Sequence, residues 1–279
     1  MSITGGIKFF DTSKCLATVG GSALTGSSPS AAQYIIDRNP YTVWRSVGSN
    51  DSTSELITIT FPSTTFSRMF LIGHNFKQFT VKYGPSGYST DFANVTGLDA
   101  TGLSGISETT FSDNVAYYEF NSVTTTGIRI TPTKTQVADQ DKYISQVIIT
   151  NELGTLTGFP VIDAVRASRN LRVQEMLSGR KNIVKSIEAL SFHMALDPYP
   201  ASYSSDLNLL LSLHDREDPF LSWLCGGRRS TSQFGYKIRG FRLQDVIPCQ
   251  ISEVVEQSYL KNMYVGPVQM GFNFEEVTL

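Results

Sequence analysis

Cysteine and histidine are scarce in this sequence, which holds three of each in 279 residues. Cys15, Cys225 and Cys249 lie far apart and form no pair with the spacing of a metal site. This pattern predicts buried free thiols, as in a protein made in a reducing cytoplasm. The histidines are scattered too, so neither residue type predicts a catalytic or metal-binding cluster.

A surplus of charge of one sign is also missing. The formal net charge is −2, with 10 basic and 12 acidic residues before Gly154 and 13 of each from there on. Binding to nucleic acid draws on a basic excess that neutralises phosphates. We therefore expect no nucleic-acid partner.

Long apolar runs and a recognisable leader are missing as well. No stretch approaches the roughly 18 apolar residues that cross a membrane, so we expect no membrane insertion. The first residues, MSITGGIKFFDTSK, lack the charged-then-apolar layout of a secretory signal. Together with reduced thiols, this start predicts a protein assembled in a cytoplasm.

The catalytic motifs that need Ser, Cys or Gly are not met. Ser222 lacks the preceding Gly of a nucleophile elbow, and Cys225 has no arranged His–Asp partner. Gly226-Gly227 is not followed by the Lys-Ser/Thr of a phosphate loop. Glu275 and Glu276 are adjacent in a predicted strand, where they point to opposite faces. We expect a protein that is not an enzyme.

The first half contains short strand signals separated by Ser, Thr, Gly and Asn turns. Residues 56–61 and 79–83 alternate with period two, and residues 68–72 form a more continuous apolar run. Further strand signals lie at residues 116–120, 127–131 and 144–149. Many short strands without intervening helices indicate a mainly β chain with a β-sandwich over residues 1–154.

The second half predicts a small α+β domain. Residues 155–182 form a connector, and the domain follows over residues 183–279, with a strand at 187–196. Ser204-Ser205-Asp206 offers a helix N-cap before an apolar run at 207–213. Asp218-Pro219 predicts the start of a second helix through residues 220–224. Two long strand signals follow, at 236–247 and 264–277.

Residues 31–46, AAQYIIDRNPYTVWRS, resemble the start of a discoidin-like domain, also called an F5/8 type C or galactose-binding-like domain. That family shows an Ala-rich start, an Asp–x–Asn turn and a Thr–x–Trp–x–Ser corner, here Asp37, Asn39, Thr42, Trp44 and Ser46. The later strand signals follow in the family's order, so the resemblance spans roughly residues 15–152. It implies a jelly-roll β-sandwich in which Trp44 closes one end of the core.

Two explanations of this corner remain open. Short Asp and Thr side chains can bond to nearby backbone groups and fix a turn by hydrogen bonds alone. The family's turn often also holds a structural Ca²⁺, which would make Asp37, Asn39 and Thr42 its ligands. The family's closing strand usually supplies a Glu where this sequence has Gln146, so the hydrogen-bonded corner is favoured.

The loop that contains His74, Asn75 and Phe76 is a second candidate region. In discoidin-like domains, such loops can present His, Asn and an aromatic residue to a sugar. The Gly-His-Asn form that starts at Gly73 also resembles a version found in phage structural proteins. The alternative role is structural, with His74 and Asn75 holding the loop by hydrogen bonds.

The layout of the whole chain is similar to that of adaptor, distal-tail and tube-associated proteins of tailed phages. This resemblance implies a structural protein of the virion, in the tail, baseplate or neck, that contacts other virion proteins and is assembled in the bacterial host cytoplasm. The alternative is a carbohydrate-binding module or adhesin that binds cell-surface glycans.

The second half also carries two groups of opposite charge. They are Arg166, Arg169 and Arg172 in the connector, and Asp215, Glu217 and Asp218 in the loop before Pro219. Patches of opposite sign on one chain suit head-to-tail contacts in a homo-oligomeric ring. The alternative is that both groups are ordinary solvated surface.

Overall fold

The computed structural model describes residues 7–12, 34–37, 42–48, 50–85, 87–97, 105–156, 161–175, 181–196, 204–223, 246–257 and 269–277. These residues contain fifteen strands and one short helix, which confirms the mainly β fold class. They fall into two units, one within Phe10–Leu153 and one within Thr4–Phe9 and Gly154–Leu279. In these ranges no helix has the length and apolar character needed to cross a membrane.

The first unit is a sandwich-like arrangement of antiparallel strands. The first strand of the chain, β1 (Lys8–Asp11), belongs to the seven-stranded sheet described below. The strands of the first unit are β2 (Trp44–Arg45), β3 (Ile57–Ile72), β4 (Phe76–Tyr83), β5 (Thr96–Gly97), β6 (Ile106–Glu108), β7 (Val115–Thr135), β8 (Tyr143–Ile144) and β9 (Gln146–Thr150). The larger sheet has the order β6-β4-β7-β3-β9, with β5 paired to β7, and β2 pairs with β8. The inward positions of the alternating strands, such as Ile59 and Val81, join one apolar core.

Two strands of the larger sheet are longer than the sequence predicted. The signals at 56–61 and 68–72 belong to one strand, β3, and those at 116–120 and 127–131 belong to β7. The register between β3 and β7 shifts between Thr60 and Thr64. Pro62, which has no N–H to donate, lies exposed in that gap with Ser63. An irregularity of this kind interrupts the pairing without ending the strand.

The second unit is built on a seven-stranded sheet that carries one helix. Its further elements are β10 (Glu152–Thr155), β11 (Val161–Glu175), β12 (Lys181–Leu196), α1 (Ser204–His214), β13 (Phe220–Trp223), β14 (Val246–Gln257) and β15 (Gln269–Glu276). The strand order is β10-β1-β13-β14-β15-β12-β11. Phe192 stacks on Phe274 with ring centroids 4.6 Å apart, and Leu210 and Leu213 of α1 are buried. This arrangement confirms the predicted α+β character.

The prediction of a second helix after Asp218-Pro219 was wrong. The structure has strand β13 there, with all four side chains buried and Phe220 opposite Cys249 of β14. A short run that is apolar throughout fits a strand covered on both faces as well as a buried helix. Because β13 lies between β1 and β14 inside the sheet, this segment is a strand.

The other elements of the second half lie close to their predicted positions. Helix α1 begins at Ser204, where the sequence offered an N-cap, and the signals at 187–196 and 264–277 contain β12 residues and β15. The predicted connector, residues 155–182, includes strand β11. Most of the signal at 236–247 lies outside the described residues, and β14 begins at Val246.

Strand β12 changes its pairing along its length. Strand β15 pairs only with Ser191–Leu196 of β12, whereas β11 pairs with β12 as far as Lys181 opposite Glu175. Among the described strands, residues 181–190 therefore bond to β11 alone. We call residues 167–175 and 181–190 the β11–β12 arm. At about 3.3 Å per residue, this two-stranded ribbon extends roughly 30 Å beyond β15.

Candidate functional site

The predicted corner is held by a direct contact between two of its candidate residues. The Thr42 hydroxyl donates a hydrogen bond of 2.6 Å to the Asp37 carboxylate. Asp37 is exposed, Thr42 is half-buried, and Asn39 lies outside the described residues. A hydroxyl that donates to the carboxylate fits the hydrogen-bonded corner, because two Ca²⁺ ligands would each turn an oxygen lone pair to the ion.

Trp44 lies in the apolar core next to this corner. Its side chain is fully buried, and strand β2 places it opposite Ile144 of β8. The indole N–H has no hydrogen-bond partner within the described part of the chain. The burial of a large aromatic side chain at this point fixes how the corner sits on the sandwich.

A buried lysine ties together two loops at the end of β2 and β8. The backbone N–H of Ser46 donates to the Lys142 carbonyl at 2.8 Å, and the Lys142 N–H donates to the Ser46 hydroxyl at 2.8 Å. The Lys142 Nζ donates to the Asn50 carbonyl at 2.7 Å. Burial lowers the pKa of Lys142, against the nearby carboxylates of Glu55 and Asp51, which act to raise it.

Asp51 links the same two loops. Its carboxylate accepts hydrogen bonds of 3.0 Å from both the backbone N–H and the hydroxyl of Thr135, and its own N–H donates to the Asp139 carboxylate at 3.3 Å. Burial acts to raise the pKa of Asp51, but the hydrogen bonds from Thr135, a backbone hydrogen bond from Asp139 and the Lys142 charge outweigh it, so the pKa is lowered. The loops at residues 46–55 and 135–143 are thus held as one body.

The structure buries His74, Asn75 and Phe76, whose side chains are at most 3% exposed. The Asn75 amide donates to the Asp141 carbonyl at 2.9 Å and accepts from the Tyr143 N–H at 2.9 Å. Such side chains offer a sugar no surface, so these three residues leave the set of candidate glycan contacts. Their hydrogen bonds match the structural alternative for this loop.

His74 itself lies in an aromatic cluster. Its ring centroid is 5.0 Å from that of Phe76, 5.6 Å from that of Phe79 and 5.3 Å from that of Phe111. Nδ1 accepts a hydrogen bond from the Phe76 N–H at 3.1 Å, which places the proton of the neutral ring on Nε2. Burial lowers the pKa of His74 from 6.5 to about 3.

Beside these buried contacts, the same end of the sandwich exposes a small surface. The Arg45 guanidinium lies 5.3 Å from the centroid of the Tyr143 ring. Val47 and Val137, from the two tied loops, are 66% and 60% exposed. This surface and Lys142 were missed from the sequence, because no residue pattern marks which loop residues meet across a sandwich.

The remaining histidines and the described cysteine make structural contacts. The His193 Nδ1 lies 2.7 Å from the Asn273 side-chain oxygen, and the exposed His214 pairs with Asp215 at 3.2 Å. Cys249 is buried beside Ser222, and burial raises the pKa of its thiol to about 12. The described ranges bring no three His, Cys, Asp or Glu residues together in a way that could hold a metal ion. Cys15 and Cys225 lie outside those ranges.

The two charged groups of the second unit lie on separate elements. Arg166, Arg169 and Arg172 are on β11, opposite Ser191, Glu188 and Val184 of β12. Asp215, Glu217 and Asp218 are exposed in the turn between α1 and β13. In the sheet order, three strands separate β13 from β11, so the strand that carries the basic group and the turn before β13 lie apart in this sheet.

Comparison with known proteins gives only distant similarities. No family model matches the chain, and no curated protein matches it. Among solved structures, the chain is similar to chitosan-binding module 1 of a chitosanase/glucanase from Paenibacillus sp. IK-5, with 14% identity over 48% of this chain and 96% of that chain and a TM-score of 0.37.

Two further similarities are of the same kind. CpGH89CBM32-5 from Clostridium perfringens, in complex with GalNAc-beta-1,3-galactose, shares 12% identity over 46% of this chain and 91% of that chain, with a TM-score of 0.34. A pectin-binding carbohydrate-binding module shares 14% identity over 47% and 85%, with a TM-score of 0.31. Similarities this weak support no argument about function. The argument about function therefore rests on the strands and contacts described above.

Proposed function

We propose that this chain is a non-enzymatic structural protein of a tailed-phage virion, with a discoidin-like module as its first unit and an assembly domain as its second. The observation that supports the assembly part of this proposal is the β11–β12 arm. A two-stranded ribbon is only marginally stable in water by itself. An arm that extends roughly 30 Å beyond β15, with no pairing partner besides its own two strands among the described residues, therefore supports a role in contact with another chain.

Two buried side chains of types that enzymes often use, His74 and Cys249, fit the non-enzymatic part of the proposal. His74 has a pKa near 3 and the Cys249 thiol has one near 12, both because of burial. A general base or nucleophile at neutral pH needs a pKa much closer to 7. The polar contacts of His74, Lys142 and Asp51 instead hold loops together.

The virion assignment is tested by the composition of the particles themselves. Particles purified from the bacterial host that carries this gene are analysed by mass spectrometry, and immunogold labelling locates the chain. We expect stoichiometric amounts and labelling at the tail, baseplate or neck. Absence of the chain from intact particles, while it is present in the surrounding lysate, contradicts the proposal.

A second candidate function is carbohydrate binding by the first unit. The specific observation that favours it is the Arg45–Tyr143 surface, where a guanidinium and an aromatic ring lie together on tied loops. Rings and planar donors of this kind are common in sites that bind sugars. If the first unit binds a glycan here, Tyr143→Ala removes the signal of the full chain on a glycan array. The control variant Tyr34→Ala changes an exposed tyrosine that is not part of this surface and leaves the signal unchanged.

A further inference from the structure

The β11–β12 arm and the acidic turn, residues 215–218, lie at opposite ends of the second unit's sheet. The register places Phe220 opposite Cys249 and Cys249 opposite Glu276. Glu275, next to Glu276, is opposite Ser191 of β12, where the arm begins. Phe220, Cys249, Glu276 and the adjacent Glu275–Ser191 pair therefore form one row across the sheet. The directions of the arm and of the turn can be compared from this row.

The arm and the turn leave this row in opposite directions. Each of the strands β13, β14, β15 and β12 is antiparallel to the next, so β13 and β12 run in opposite directions. The arm, followed backwards from Leu190 to Lys181, therefore points the same way as β13 followed forwards from Phe220 to Trp223. The acidic turn precedes Phe220, so it lies beyond the other side of the row. A hydrogen bond of 3.0 Å from the Gln250 side chain to the Glu217 carbonyl holds it there.

The arm consequently cannot reach the acidic turn of its own chain. Three strand spacings, about 14 Å, separate β13 from β12 across the sheet, and the arm then extends roughly 30 Å in the opposite direction. Any contact between the two surfaces must join different copies. Such a contact uses two different patches, so it is heterologous and generates a ring or a filament.

The net charges of the arm sequence and of the acidic turn are opposite in sign. The arm sequence holds four basic residues and two acidic ones: Arg169, Arg172, Lys181 and Lys185 against Glu175 and Glu188. The turn presents exposed Asp215, Glu217 and Asp218, and the Asp215 side chain is 79% exposed. It follows the C-terminus of α1, where the helix dipole adds partial negative charge.

We propose that the arm of one copy docks on the acidic turn of a second copy, so that subunits associate head to tail. The inference rests on the proposed assembly function and names the two surfaces that carry it. Complementary patches of this kind set the register of association and make it sensitive to salt.

The test uses the full chain with one surface reversed at a time. In the arm variant, Arg172→Glu and Lys185→Glu, which lie opposite Val184 and Leu171, make the arm acidic. In the turn variant, Glu217→Lys and Asp218→Lys make the turn basic. A matched control, Lys77→Glu with Lys134→Glu, changes the same amount of charge at exposed positions of the first unit. Mass in solution is measured by sedimentation for each variant and for an equal mixture of the arm and turn variants, and circular dichroism checks that each is folded.

We expect each variant by itself to need on the order of tenfold more protein for half-association, because like charges then face each other. The mixture regains the assembly of the unmodified chain, since each copy's arm then meets a turn of opposite sign. The control keeps the unmodified mass.

Three outcomes overturn the inference. If the unmodified chain associates and both variants associate equally well, the contact lies elsewhere and the assembly function stands. If both variants are monomeric and folded but their mixture stays monomeric, the two surfaces do not meet each other. If the unmodified chain is monomeric at every concentration and at low salt, the assembly function fails together with the inference.

Discussion

Among single residues, His74 has the clearest consequence for behaviour in solution. Its pKa is about 3 in the fold because of burial, against 6.5 for an ordinary histidine. The unfolded chain therefore binds a proton below pH 6.5 that the folded chain does not bind until about pH 3. The stability linked to this residue is complete above pH 6.5 and is lost as the pH falls from 6.5 towards 3.

We expect the free energy of unfolding of the first unit to fall by up to about 1.4 kcal/mol per pH unit in this window through His74 alone. Denaturant unfolding of the full chain at pH 7, 6, 5 and 4 measures the slope. We expect His74→Gln to lower the stability at pH 7. It should also reduce the slope of unfolding free energy against pH by the contribution of one bound proton. Equal slopes for His74→Gln and the unmodified chain contradict the burial of a neutral His74.

Residue patterns could predict some of these contacts and not others. The Asp37–Thr42 contact follows from a local turn whose residue types are visible in one short stretch. The burial of Lys142 could not be predicted, because lysine is almost always exposed unless paired and its partners come from another loop. His74 was found as a candidate, but only the structure showed that a loop folds its side chain inwards.

At the scale of elements, an experiment can distinguish the two explanations of the corner at residues 37–44, a hydrogen-bonded turn and a Ca²⁺ site. The 2.6 Å bond from Thr42 to Asp37 predicts a corner that needs no ion. We expect a chelator to leave the melting temperature of the full chain unchanged, whereas Thr42→Val lowers stability by about 0.5–1.5 kcal/mol. Thr126→Val, at an exposed position on β7, is the matched control. A drop in melting temperature on chelation, restored by added Ca²⁺, contradicts the hydrogen-bonded corner.

Elements were predictable where a local signal decides them. The alternating residues of β3 and β4 and the N-cap of α1 mark their elements directly. The strand β13 was not predictable, because its four buried residues suit a helix equally well and only pairing with β14 decides. The β11–β12 arm was missed for a similar reason. Its overhang depends on where β15 stops pairing with β12, and the sequence of a strand with mixed polar residues does not predict its pairing register.

At the scale of the whole molecule, the two units have different tasks in this account. The first is a sandwich whose loops are tied by buried polar contacts, and the second extends an arm of two strands from its sheet. We propose that this arm gains stability from a partner, because the arm sequence and the acidic turn have net charges of opposite sign. The central claim is therefore that the chain functions as an assembled structural part.

The most direct test of that claim is the molar mass of the unmodified full chain, measured by sedimentation equilibrium across a wide range of concentrations at low and at high salt. The account predicts a concentration-dependent rise to a multiple of the 30.8 kDa chain, with weaker association at high salt. A mass of one chain at every concentration and at low salt contradicts it.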